Sequence, residues 1–186
     1  SKYFTEKIFK IFKKKGHIYK KEMELMYDEE AKRFLPDRFV KGICPKCGSP
    51  DQYGDNCEKC GATYNPTELL EAYSVITKSK PVRKNSEHYF FRLSNFSKQL
   101  KKYLMENKKL QPEIKNQILT WVNEGLEDWC ISRNAPYFGF KIPEEEELYF
   151  YVWLDAPIGY ISSTKNYCDS HKLDWKDYWY NEHSQV

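Results

Sequence analysis

Cys44-Pro45-Lys46-Cys47 and Cys57-Glu58-Lys59-Cys60 are two C-x2-C pairs with nine residues between them, and each runs into a glycine, Gly48 and Gly61. A C-x2-C turn lets two thiolates reach one ion, and a glycine behind it lets the backbone turn its amides toward the sulfurs. Four thiolates in a tetrahedron select Zn2+, with sulfurs at about 2.3 Å from the metal. Iron fits the same cage and would make it a one-electron redox site; two disulfides or four plain thiols are the bland readings. A closed shell of four sulfurs leaves no position for water, so the ion is expected to be structural. Residues 35–66 hold four Cys, four Gly and four Pro, too loop-rich for a core of their own. Metal binding worth about 10 kcal/mol or more would stand in for that core.

Composition narrows the classes. The 186 residues carry 30 Lys+Arg against 27 Asp+Glu, a net charge of +3. Polyelectrolyte binding by the whole chain is therefore excluded, no DNA partner is expected, and only local patches can matter. Mean hydropathy is −0.81, and no run approaches the roughly 18 apolar residues of a membrane helix. No basic start leads into an apolar stretch, as a secretory signal would. Reduced cysteines and a cytoplasmic setting, with no membrane partner, are expected. With 15 Tyr, 11 Phe and 5 Trp the chain has ample material to bury, which excludes general disorder. A first residue Ser1 inside a helical pattern reads as a piece of a longer protein. Cys130 and Cys168 lack partners at ligand spacing and are expected to be small buried residues. His17, His88, His171 and His183 form no pattern.

Phe4, Ile8, Ile11 and Phe12 predict a helix over 3–15, ended by Lys13, Lys14, Lys15 and Gly16. Residues 1–21 hold eight Lys against one Glu, and a solvated helix face is preferred to a polyanion site. Residues 18–27 half-alternate and predict a strand. Between Lys78 and Lys109 stand ten basic residues and two acidic ones. There, strand-like Tyr89-Phe90-Phe91 leads to a helix with Phe96, Leu100 and Leu104 on one face, capped by Ser94 or Asn95. A second helix opens at Pro112, carries Ile114, Ile118, Trp121 and Val122, and stops at Gly125; the short connection predicts an antiparallel pair. Tyr137 to Phe140 and Leu148 to Leu154 predict two strands around the acidic loop Glu144–Glu147. The second is apolar throughout, as in a parallel sheet covered on both faces. Pro157 is then expected to open a helix capped by Asp155 or Ala156.

Ligands of open α/β sheets bind beyond the carboxyl ends of strands. On that rule Trp153, Ala156, Pro157 and Tyr160 face one crevice, apolar and aromatic with a small residue making room. It suits an unbranched side chain, and a thioether gains about 0.3–1.5 kcal/mol from sulfur–aromatic contact. Arg133, in Trp129-Cys130-Ile131-Ser132-Arg133, could serve an anionic centre. By physics alone, an aromatic cluster of this kind is more often core.

These residues, with Leu35-Pro36-Asp37-Arg38-Phe39-Val40-Lys41-Gly42, Asp51-Gln52-Tyr53-Gly54-Asp55, Ala135-Pro136-Tyr137-Phe138-Gly139-Phe140 and Tyr151 to Tyr160, closely resemble the bacterial methionyl-tRNA synthetases of class I. The resemblance implies an α/β fold. Residues 1–34 and 129–186 would belong to the nucleotide-binding, Rossmann-like catalytic domain, the latter carrying the amino-acid pocket strand. Residues 35–70 would be the zinc knuckle and 71–128 the remainder of an inserted α+β connective domain. It implies methionine, ATP (with Mg2+) and the tRNA acceptor end as partners: methionine is activated to methionyl-adenylate, then esterified to tRNA. Trp153, Ala156, Pro157 and Tyr160 would line the methionine pocket. Trp129 is similar to an aromatic that repositions on methionine binding, and Arg133 to a basic residue near the reacting carboxylate and phosphate. Cys44, Cys47, Cys57 and Cys60 match structural zinc ligands. The two ATP signatures of the family, of the His-Ile-Gly-His and Lys-Met-Ser-Lys-Ser types, are absent from these 186 residues, so this polypeptide alone is expected to be inactive. The alternative is a free-standing zinc-knuckle module that holds RNA through its basic segments, without enzyme activity.

Overall fold

A computed structural model describes residues 1–180; His183 lies outside the described residues. The helices are α1 (Lys2–Lys14), α2 (Ser97–Glu106), α3 (Pro112–Glu124), α4 (Val152–His171) and α5 (Lys176–Trp179). The strands are β1 (Ile18–Asp28), β2 (Arg33–Phe34), β3 (Val40–Ile43), β4 (Gln52–Tyr53), β5 (Leu70–Ser74), β6 (Val82–Phe91), β7 (Trp129–Cys130), β8 (Ser132–Asn134) and β9 (Leu148–Phe150). They form sheets of order β2-β1-β6-β7, β4-β3-β5 and β8-β9. Among the described residues no helix is long and apolar enough to cross a membrane. The chain divides into two compact units, one of Ser1–Lys20, Tyr89–Arg133 and Phe138–Val186, the other of Lys21–His88 and Asn134–Tyr137.

The first unit is built around aromatic packing. α1 turns Phe9 inward, 2% exposed, where it meets Tyr89 and Phe150 edge to face, each at 5.2 Å. Ile18, Ile131, Ile142 and Leu148 complete this core. Burying each large side chain contributes roughly 1.5–3 kcal/mol. Lys13 and Lys14 occupy the last turn of α1 and Gly16 takes φ 75°, as the sequence predicts. The acidic loop is pinned at Glu145, which accepts a hydrogen bond from the Tyr89 hydroxyl (2.6 Å) and pairs with Lys20 (2.9 Å). α3 starts with Pro112 and stops at Gly125, φ 109°, and it packs on α2. Cys168 is fully buried, Cys130 partly so.

Four sequence expectations are corrected here. The helix after Tyr89-Phe90-Phe91 is not capped by Ser94 or Asn95: a single 3-10 turn, Leu93–Phe96, precedes α2. The Ser94 hydroxyl donates instead to Asp128 (2.6 Å), an acceptor distant in sequence. Tyr137 to Phe140 form no strand, and Phe138 is fully exposed; only a bridge from Lys141 to Tyr149 remains. The apolar run 148–154 is split, with β9 ending at Phe150 and α4 starting at Val152. A run apolar at every position carries no period, so strand and helix are indistinguishable within it. Pro157 lies inside α4 rather than at its start. It removes one N–H hydrogen bond to the carbonyl of Trp153, and Trp153 and Pro157 are both exposed, so water can satisfy that carbonyl.

The second unit holds β3 between β4 and β5, both antiparallel to it. Met26, Leu35, Val40 and Leu69 make a small core, with Tyr64 and Ala72 against it. This is the scant core that the composition of 35–66 predicts. Asp28, fully buried at the end of β1, accepts from the amides of Glu30 and Ala31 (3.0 and 2.9 Å) and from the Thr77 hydroxyl (2.7 Å).

Candidate metal centre and aromatic groove

The two C-x2-C pairs fold into matching turns. Gly48 N–H donates to the Cys44 carbonyl (3.0 Å) and Gly61 N–H to the Cys57 carbonyl (2.9 Å), with Gly48 and Gly61 at φ 72° and 71°. A side chain at either position would be strained, so each glycine is required by its turn. The Lys46 amide points at the Cys44 sulfur and the Cys60 amide at the Cys57 sulfur, each at 3.4 Å. The turns bring all four sulfurs within 4.8 Å of one another. Cys44 and Cys60 sulfurs lie 3.9 Å apart, those of Cys47 and Cys57 3.6 Å. A disulfide needs about 2.05 Å, so no bond is formed, and all four are free thiols. Four sulfurs about 2.3 Å from a common centre lie about 3.8 Å apart in a tetrahedron, and the Cys44–Cys60 and Cys47–Cys57 separations lie on either side of that value.

Four thiolates at this spacing also need their charge compensated. Hydrogen bonding with the Ser49 side chain and backbone brings the Cys47 thiol down to about 6. At Cys60 the Ala62 amide lowers the thiol, but the sulfurs of Cys57 and Cys47 outweigh it and push it up to about 12. Burial and the neighbouring cysteines hold the Tyr64 hydroxyl up at about 12. Four thiols this close cannot all ionise unless a positive charge sits among them. The cluster fits a metal ion with no open position, and Cys44 and Cys57 are fully buried while Cys47 and Cys60 reach the surface.

The second constellation lies on the first unit. Trp153, Ala156, Pro157 and Tyr160 fall at i, i+3, i+4 and i+7 of α4 and so share one face. With Gly159 and Ser163 they line a groove of about 370 Å3. It is open rather than enclosed: Trp153 is 63% exposed and Tyr160 73%. Trp129 and Arg133 do not line it; both meet at Tyr151, the residue immediately before α4. The Trp129 indole stands edge-on to the Tyr151 ring at 6.1 Å, and the Arg133 guanidinium lies over that ring at 3.8 Å. Arg133 Nη1 also donates to the Ser132 carbonyl (2.8 Å). Partial burial raises the Asp155 carboxyl in the first turn of α4, against the opposing pull of its own and the Ala156 amide. Tyr151, Gly159 and Ser163 were not legible as site residues. Reading 148–154 as strand hides the helical spacing that joins Ser163 to Ala156 and Tyr160.

The family model described as tRNA synthetases class I (M) matches residues 1–186. A methionine–tRNA ligase of Francisella tularensis subsp. tularensis (strain WY96-3418) is 51% identical over 186 residues, all of this chain and 28% of that protein. The methionine–tRNA ligase of Dichelobacter nodosus is 50% identical over 176 residues, 94% of this chain and 26% of that protein. The chain thus spans about a quarter of the length of the curated relatives it matches. Among solved structures, the free form of Mycobacterium tuberculosis methionyl-tRNA synthetase superposes with a TM-score of 0.52 at 22% identity. It covers 86% of this chain and 28% of that one. The same enzyme bound by methionyl-adenylate gives 0.53 at 22% identity, covering 86% and 27%. At that identity these structures speak to fold alone. The fold is a mixed α/β portion of a class I synthetase with a four-cysteine knuckle. Matched by its family model over every residue, the chain belongs to the family of tRNA synthetases class I (M).

Proposed function

We propose that this chain is the section of a methionine–tRNA ligase that carries the methionine groove and a zinc knuckle. The observation that carries the reading is the α4 face: the four residues singled out for the pocket line one groove. Two aromatic walls, one small residue and a pyrrolidine ring suit a long unbranched thioether, which gains about 0.3–1.5 kcal/mol from sulfur–ring contact. The ligases that match this chain at 50 and 51% identity support the same assignment. In the full-length protein, methionine and ATP form methionyl-adenylate and pyrophosphate, and the methionyl group passes to the terminal adenosine of tRNA in the cytoplasm. Arg133 would serve the reacting carboxylate and phosphate, where charge builds up in the transition state. Residues 1–34 and 129–186 belong on this reading to the catalytic fold, with 35–70 and 71–128 inserted between them.

Cys44, Cys47, Cys57 and Cys60 would hold Zn2+. The ion supplies folding energy to the knuckle and takes no part in the chemistry. Colourless protein with one zinc per chain supports this; a coloured, iron-containing chain overturns it.

The groove is tested by Trp153→Ala and Tyr160→Ala in the full-length protein, read by methionine-dependent exchange of pyrophosphate into ATP. Loss of an aromatic wall should raise KM for methionine at least about tenfold and leave KM for ATP within about twofold. Unchanged methionine KM in both variants would refute the groove. Salt-sensitive RNA binding with no methionine dependence at all would favour the free-standing RNA module.

A further inference from the structure

Tyr151 links the two halves of the candidate site, and nothing in the chemistry above gives it a role. Its amide donates to the carbonyl of Ile131 (2.9 Å), and Ile131 is fully buried. Its own carbonyl accepts from Leu154 N–H (2.9 Å) in the first turn of α4. The backbone of Tyr151 is therefore fastened both to the segment bearing Trp129 and Arg133 and to the helix bearing the groove. Its ring lies 3.8 Å from the Arg133 guanidinium on one contact and 6.1 Å from the Trp129 indole, edge-on, on the other. Arg133 Nη1 is taken up by the Ser132 carbonyl (2.8 Å) and reaches the Cys130 sulfur at 3.7 Å. Among the described residues no partner is recorded for its Nε or Nη2, so those N–H groups remain to meet an anion.

We propose that Tyr151 is a positioning residue for Arg133: its ring holds the guanidinium flat at the start of α4, leaving the unpartnered edge for the substrate's anionic centre. The proposal rests on the ligase reading above and deepens it. A long, flexible side chain held at one edge by a carbonyl and on one face by an aromatic ring enters the transition state with its orientation already fixed. The hydroxyl of Tyr151 has no part in this, since the contact is through the ring face. The ring contact also abuts Trp129, so a shift of the indole would be felt at the guanidinium.

The test uses the full-length protein and methionine-dependent pyrophosphate exchange, with Tyr151→Phe, Tyr151→Leu, Tyr151→Met, Arg133→Ala and the double variant Tyr151→Leu/Arg133→Ala. A cation–π contact of the usual strength predicts that Tyr151→Leu lowers kcat roughly 3- to 25-fold. KM for methionine should stay within about twofold, and Tyr151→Phe should keep kcat within about twofold. Tyr151→Met, equally non-aromatic, should fall with Leu and guards against one variant failing to fold. In the Arg133→Ala background, Tyr151→Leu should cost nothing further, because the effect runs through the guanidinium. Any of three results overturns the proposal: a full additional loss in that background, Phe as poor as Leu, or a methionine KM rising in step with the fall in kcat. If Trp153→Ala and Tyr160→Ala both leave methionine KM unchanged while the Tyr151–Arg133 coupling is present, the groove assignment fails and the positioning role stands. An unsubstituted protein without methionine-dependent exchange overturns the ligase reading and this proposal together.

Discussion

Asp28 is a carboxylate with no exposed surface, and the sequence offers no sign that it is buried, since it stands in a run of charged and turn-forming residues. Burial alone would push its carboxyl up. The Ala31 amide, the Ser74 and Thr77 side chains and the Glu30 amide outweigh that and bring it down to about 2. The depressed folded-state value fixes the sign of the pH dependence. An unfolded Asp titrates near 3.9, so the ionised form stabilises the fold fully above about pH 4. That contribution fades as pH falls through about 2. Asp28→Asn should therefore melt below the unsubstituted chain at pH 7, and the gap between the two should close as pH falls from about 4 toward 2. Taking the difference of midpoints at each pH cancels acid release of any metal, which affects both chains. A gap that is constant between pH 7 and pH 2.5 would show that the charge of Asp28 contributes nothing.

The two C-x2-C turns and α4 are opposite cases at the scale of the element. The turns were readable because ligand geometry demands a fixed spacing and a glycine at positive φ, and both are written in residue identity. α1 and α3 were readable for a similar reason, through Gly16, Pro112 and Gly125 at their ends. The start of α4 was not, because an apolar run has no period and Tyr151 caps it with no side-chain hydrogen bond. Ser94 misled for a different reason: it bonds to Asp128, 34 residues away, which no local pattern encodes. The site residues of α4 were singled out by the strand-end rule and by resemblance, but their i, i+3, i+4, i+7 spacing on one helix face is legible only from the helix. The knuckle gives the sharper experiment. Its unit has a core of four buried side chains, so ligand loss should be felt there first. A strong chelator, or Cys44→Ser, should abolish amide hydrogen-exchange protection at Gly48 and Gly61, whose N–H groups close the turns, and leave that of α4 unchanged. Metal binding worth about 10 kcal/mol or more makes this a loss of structure rather than a weakening. Protection that survives complete metal removal would mean the knuckle folds on its small core and its hydrogen bonds alone.

For the molecule as a whole, what these residues hold can be weighed against what the proposed reaction needs. Adenylate formation places a carboxylate against a triphosphate and expels pyrophosphate, so negative charge must be neutralised at several oxygens at once. Preorganised donors at such centres are worth about 2.7–4 kcal/mol each. Here the one cation assigned to the reacting centre is Arg133, and no phosphate-cradling glycine loop or His-Ile-Gly-His or Lys-Met-Ser-Lys-Ser sequence occurs in the 186 residues. The groove is also open, with Trp153 and Tyr160 largely exposed, so water is not excluded from the reacting atoms. The relatives are about four times the length of the aligned segment, which leaves ample chain to supply both needs in them. The 186-residue polypeptide by itself should accordingly show no pyrophosphate exchange above a no-enzyme control. Its methionine affinity should be weak, because an open groove leaves much of the ligand in water. The full-length protein, assayed alongside, should exchange rapidly. Exchange by the short chain above background would mean that Arg133 and the groove suffice to stabilise the pentavalent phosphate, and the division of labour argued here would have to be abandoned.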